Sequence, residues 1–209
     1  QNRNICKTAV YLMRLLMEES NDNLPFLKEA LESAKQYLTP GNWKNYIFNS
    51  LTILNEVGKF LPTDVFGVTL SHFVEIWKAV CSDDNDVRLI GVKVINIHLK
   101  HVPSHTAENF AESLYVDCFM NLNSKKNESY LGSILVSHLL YKSYPAIIKL
   151  QTFLERAFEI SKLNIVDINV AIFDFFLNVV NSNDKFLTPQ LINKAFNCLI
   201  TSIKQINDC

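Results

Sequence analysis

Stretches of roughly fifteen to twenty residues, each with apolar side chains at helical spacing, alternate with short polar breaks along the whole chain. Each stretch carries more apolar surface than an isolated helix could keep in water. Each break is too short for anything but an antiparallel return. A chain punctuated this way folds as helix packed on helix. Glycine and proline number only five and six in 209 residues, which argues against an all-β fold with its many tight turns.

The middle of the chain states the pattern most fully. Asp83, Asp84 and Asp86 supply acceptors and negative charge for a helix start, ahead of an apolar run reaching Val102. Within that run Ile95-Asn96-Ile97-His98-Leu99-Lys100 alternates apolar and polar, the period of a strand, and Val92, Val94, Ile95 and Ile97 are β-branched. Helical spacing relates Val87, Ile90, Val94 and Ile97, and also Val92, Ile95, Leu99 and Val102. Two apolar stripes predict a helix buried on more than one side.

Other segments follow the same design. Ile5, Ala9, Leu12, Leu15 and Leu16 share one helical face, and Pro25 suits the first turn of a second helix running to Leu38. A helix is predicted from Trp43, with Ile47, Leu51, Leu54 and Leu61 inward, and another after Pro62-Thr63-Asp64 with Phe73, Ile76, Trp77 and Val80. Beyond Pro103 come a stripe through Phe110, Leu114, Tyr115, Cys118 and Phe119, then helices around Ile134 and Phe153. The very apolar run from Ile165 to Val180 reads as an interior helix. Thr188-Pro189, a capping residue before a first-turn proline, opens the last one.

The total is about ten helices with a period near 40 residues per pair, the spacing of HEAT and armadillo arrays. The Asp83-to-Arg88 segment resembles the Asp…Val-Arg signature that opens the second helix of a HEAT repeat. This resemblance implies an α-solenoid of about five stacked antiparallel hairpins, forming one helical-repeat domain over 1–209. Neighbouring hairpins would bury a continuous core. The first and last helices, the latter with Ile200, Ile203 and Ile206, carry apolar residues around much of their circumference. They are expected to pack on flanking repeats, a partner or a second copy. The start at Gln1-Asn2-Arg3-Asn4 has no methionine or signal-peptide character, and the end at Asp208-Cys209 is abrupt, so the chain reads as a segment of a larger protein.

Net charge is −1, the acidic and basic residues are spread without blocks, and no basic run marks a nucleic-acid footprint. No apolar stretch is long enough to span a bilayer. Five scattered cysteines without a Cys-x-x-Cys read as small core residues of a reducing compartment, cytoplasm or nucleus.

The search for chemistry returns no cofactor motif: no Gly-x-Gly-x-x-Gly, no Walker lysine and no His-Glu-x-x-His. His98, His101 and His105, with Glu108, lie close in sequence, but Pro103 interrupts any shared helical face. His101 reads as a helix C-terminal cation rather than a metal ligand. Asp167 and Asp174, seven apart, read as solvated carboxylates, and Phe173 and Phe176 as core. The expectation is therefore a non-enzymatic scaffold that binds another protein, with no metal, cofactor, nucleic acid or membrane insertion.

A second resemblance sharpens one alternative. Trp43-Lys44 after Gly41-Asn42 resembles the Asp-Trp-Lys opening of TOG domains, HEAT-like arrays whose intra-repeat loops bind tubulin. It implies a partner-binding edge made by loops at 40–43, 82–86, 123–127 and 161–163, lined by Trp43, Arg88, Lys125, Lys126 and Lys162. A helical lipid- or ligand-binding domain is the third reading.

Overall fold

A computed structural model of the chain describes residues 3–19, 24–38, 43–60, 70–124, 127–182 and 187–207. Among them run ten α-helices: α1 (Arg3–Glu19), α2 (Leu24–Tyr37), α3 (Trp43–Gly58), α4 (Leu70–Val80), α5 (Asn85–His101), α6 (Ser104–Leu122), α7 (Tyr130–Ser143), α8 (Leu150–Ile160), α9 (Val166–Asn181) and α10 (Pro189–Asn207). Single 3₁₀ turns lie at Asn127–Ser129, Pro145–Ile147 and Ser161–Leu163. The protein is all-α, with no strand among the described residues. No helix among them is long and apolar enough to cross a membrane.

The helix ends obey their local chemistry. Asp84 caps α5, its carboxylate accepting from the N–H groups of Asp86 at 3.1 Å and Val87 at 3.3 Å. The Thr188 hydroxyl accepts from the Leu191 N–H at 3.2 Å, with Pro189 in the first helical position. Pro103 divides α5 from α6, which begins at Ser104. The alternating segment 95–100 is helical, both of its stripes contributing buried residues: Val87, Val94 and Ile97 on one, Ile95 and Leu99 on the other. Leu61 and the predicted cap at Pro62-Thr63-Asp64 lie outside the described residues.

By contacts, the chain divides into two compact units, Gln1–Ala107 and Glu108–Cys209, the division falling in the first turn of α6. In the first unit α3 packs on α1, α2 and α5, and α4 on α5. Leu31 of α2 and Leu38 just past its end, Leu51 and Leu54 of α3, Ile76 and Val80 of α4, and Val94 and Ile95 of α5 are fully buried. Gly91 lets the end of α4 approach α5 closely, since a Cβ there would stand 3.1 Å from Val80 Cγ2 and 3.3 Å from the Val80 nitrogen.

In the second unit α9 packs chiefly on α7, and α10 on α8. Phe175 is its aromatic centre, with ring centroids 5.0 Å from Phe153, 5.4 Å from Tyr141 and 5.3 Å from the stacked His138 ring. Arg156 Nε donates to the Leu122 carbonyl at 2.8 Å, giving the C-terminal end of α6 a cationic partner.

Two apolar helices depart from what their composition suggests. On α1 it is Val10 that is buried, while Ile5 is 67% and Leu12 is 54% exposed. The run read as an interior helix, α9, has one inward face of Ile168, Ile172, Phe175 and Val179. Its opposite face exposes Val170 to 55% and Leu177 to 57%. Apolar composition reports how much surface a helix could bury, and the neighbours actually beside it decide which face is covered.

Candidate partner-binding surface

Three helices of the first unit lie side by side and run in the same direction. Near their N-termini the Arg3 guanidinium of α1 sits over the Phe48 ring of α3, 4.8 Å from its centroid. Arg3 also pairs with Asp84 at the cap of α5 and with Asp86 at 3.3 Å. Two to three turns further on, Arg14, Glu56 and Lys93 again line a common hollow. Matching positions therefore advance together along α1, α3 and α5. A parallel row of this kind requires each chain segment to return by another helix, and α2 and α4 are those returns.

The row is grooved. One hollow of about 300 Å³ lies against Lys7, Tyr11, Arg14, Thr52 and Lys93, and another of about 600 Å³ against Lys59, Asn96, Ile97, Lys100 and His101. Asn55, Glu56 and Lys93 line both, so the two hollows adjoin. Five cationic side chains (Lys7, Arg14, Lys59, Lys93, Lys100) face this groove against a single carboxylate, Glu56. That carboxylate is already matched, both of its oxygens lying 3.0 Å from Lys59 Nζ and one also accepting from Asn55. Lys7 stands 5.5 Å from the Phe48 centroid, and Arg14 lies 5.2 Å from that of Tyr11. Lys93 and Lys100 are exposed and make no ion pair among the described residues. A chain of net charge −1 thus presents a positively charged face, because its cations converge from helices some ninety residues apart. No local run in the sequence carries that signal.

Of the residues expected along a loop edge, Arg88 and Lys162 are the two whose side chains are described. Arg88 is 6% exposed, donating from Nη1 to the Ser82 carbonyl and from Nη2 to Asn85 Oδ1 at 3.3 Å. It pins the turn between α4 and α5 and presents nothing to a partner. Its position four residues after the cap makes it an inward-facing member of the first turns, and burial of its stem follows. Lys162, on the 161–163 turn, is exposed and lines a separate hollow of about 590 Å³ in the second unit with Lys194, Gln190, Asn193 and Asn197. Trp43 begins α3, its side chain lying outside the described residues, as do Lys125 and Lys126 altogether.

Two of the histidines pack against aromatic rings. His98 lies edge-on to Phe73 at 4.5 Å between ring centroids, and burial, aided by the nearby His101, pushes its pKa down to about 4. His138 stacks on Phe175 and bonds Asn178 at 2.8 Å, and burial lowers its pKa too. Among the described residues no three His, Cys, Asp or Glu side chains are grouped to hold a metal ion. Asp167 and Asp174 are both solvent-exposed. Burial raises the Cys81 thiol to about 11, far from a reactive thiolate, and Cys118 is fully buried. No family model, no curated protein and no solved structure matches the chain.

Proposed function

We propose that this chain is an array of stacked helical hairpins, of the HEAT or armadillo kind, that holds another protein and performs no reaction of its own. The observation that carries the reading is the parallel row of α1, α3 and α5 with α2 and α4 as returns. Such a layer offers a broad, open groove rather than an enclosed site, and helical arrays of this type use such surfaces for partners. The chemistry lining the groove supports it as well. Long cations and carboxamides at its rim recognise and orient a partner, whereas no base stands beside a nucleophile there.

The test is capture of binding proteins by the tagged chain from a lysate of the native host, with mass spectrometry of what survives a moderate-salt wash. A stoichiometric protein partner is expected. An empty bait, or catalytic turnover by the purified chain, would overturn the reading.

A further inference from the structure

We propose that the groove across α1, α3 and α5 receives an extended acidic segment of the partner protein, its carboxylates seated on Lys7, Lys93 and Lys100. The inference rests on the protein-binding reading above and adds the chemistry of the partner.

The geometry favours a strand-like ligand. Lys93 and Lys100 are seven residues apart on one helix, and so are Lys7 and Arg14, which puts about 10 Å between the members of each pair. Packed helices stand about 8–10 Å apart, so crossing from α1 to α5 takes about 16–20 Å. An extended chain advances about 3.3 Å per residue, so about six residues make the crossing and every third one meets a new helix. Acidic residues about six positions apart would therefore find a cation at each rim of the groove. At its centre, over α3, Glu56 is neutralised by Lys59, and Asn55 lies beside it. That middle strip suits an uncharged residue.

The chemistry of the walls also favours peptide over nucleic acid. The floor and sides include Val10, Thr52, Ile90 and Ile97, which suit aliphatic stems between the charges. Tyr11 and His101 carry the only rings among the groove's lining residues, and Arg14 already lies over Tyr11, so bases find little to stack on.

The experiment is fluorescence anisotropy of the full chain with a labelled peptide of about twelve residues, glutamates about six positions apart among small neutral residues. Its glutamine counterpart and a single-stranded RNA of equal length serve as comparison probes. The glutamate peptide is expected to bind, weakening as salt rises from about 50 to about 200 mM, and the glutamine peptide to fail. Lys93→Ser with Lys100→Ser should weaken the glutamate peptide about tenfold, while Lys162→Ser leaves it unchanged. Three results would overturn the proposal: no binding of the glutamate peptide, loss with Lys162→Ser equal to that of the double variant, or tighter binding of the RNA. A partner captured from lysate equally well by wild type and by the double variant would also overturn it, leaving the protein-binding reading intact.

Discussion

The Arg3 guanidinium on α1 rests on the carboxylate of Asp84, the same carboxylate whose oxygen caps α5. One acidic group thereby ties together two helices eighty-one positions apart in sequence while satisfying the first amides of one of them.

Removing that group should cost more than removing its partner. Asp84→Ala deletes the cap and is expected to lower stability by about 1–2 kcal/mol. Arg3→Ala leaves the cap in place and removes exposed pairs with Asp84 and Asp86 and the contact with Phe48, costing about 1 kcal/mol or less. The hydrogen bond from Arg3, followed by the bonds from the Val87 and Asp86 amides, holds the Asp84 carboxyl below the usual carboxylate range. Its contribution is therefore complete above about pH 4 and disappears as acid protonates the folded form. Urea midpoints across that range should show Asp84→Asn losing the acid-dependent part while keeping most of the cap.

A second, higher window belongs to His98. The buried ring is neutral in the folded protein, with its pKa pushed down to about 4, whereas the unfolded chain takes a proton near pH 6.5. Unfolding gains that proton, so stability is complete above about pH 6.5 and declines from there toward pH 4. His72 and His138 are lowered by burial in the same sense. His98→Phe preserves an aromatic neighbour for Phe73 and should flatten the decline over this window, read from denaturant midpoints at successive pH values.

Gly91→Ala inverts the usual effect of such a change. In a helix interior alanine normally gains up to about 1 kcal/mol over glycine. Here the new methyl meets Val80 from two directions, a stiff buried side chain and a backbone nitrogen, neither of which can withdraw. A net loss of about 1–3 kcal/mol is expected. Combining it with Val80→Ala should cost less than the sum of the single changes, which a double-mutant cycle measures directly.

The two faces of α9 should separate cleanly by mutation. Phe175→Ala empties the aromatic centre of the second unit and is expected to cost about 3–5 kcal/mol. Leu177→Ala, two positions along, removes an exposed side chain and should change stability by less than about 0.5 kcal/mol. Similar losses at both positions would mean that the outer face is covered in solution.

Helix positions were legible in the sequence because caps, prolines and polar turns act locally: Asp84, Pro103 and Thr188-Pro189 each mark a boundary through its own backbone chemistry. The direction each apolar face takes was less legible. Leu12 outside and Val10 inside are the same kind of residue, and only the position of α3 distinguishes them. Arg88 looked like surface because arginine usually is, yet a carbonyl six residues back gives its guanidinium a buried partner. The charged groove was invisible because Lys7 and Lys93 become neighbours only after the chain has turned back on itself twice.

One wall of that groove is held differently from the other. α5 is fixed by α3 and by α4, whereas α1 packs mainly on α3 and is pinned to α5 by the Arg3 pairs. Opening α1 exposes little that is now buried, since much of its apolar surface already faces water. It is therefore the element of the first unit that native-state hydrogen exchange should find released at the lowest free energy. The groove so has one rigid jaw and one compliant jaw, and its width can be set by whatever it holds.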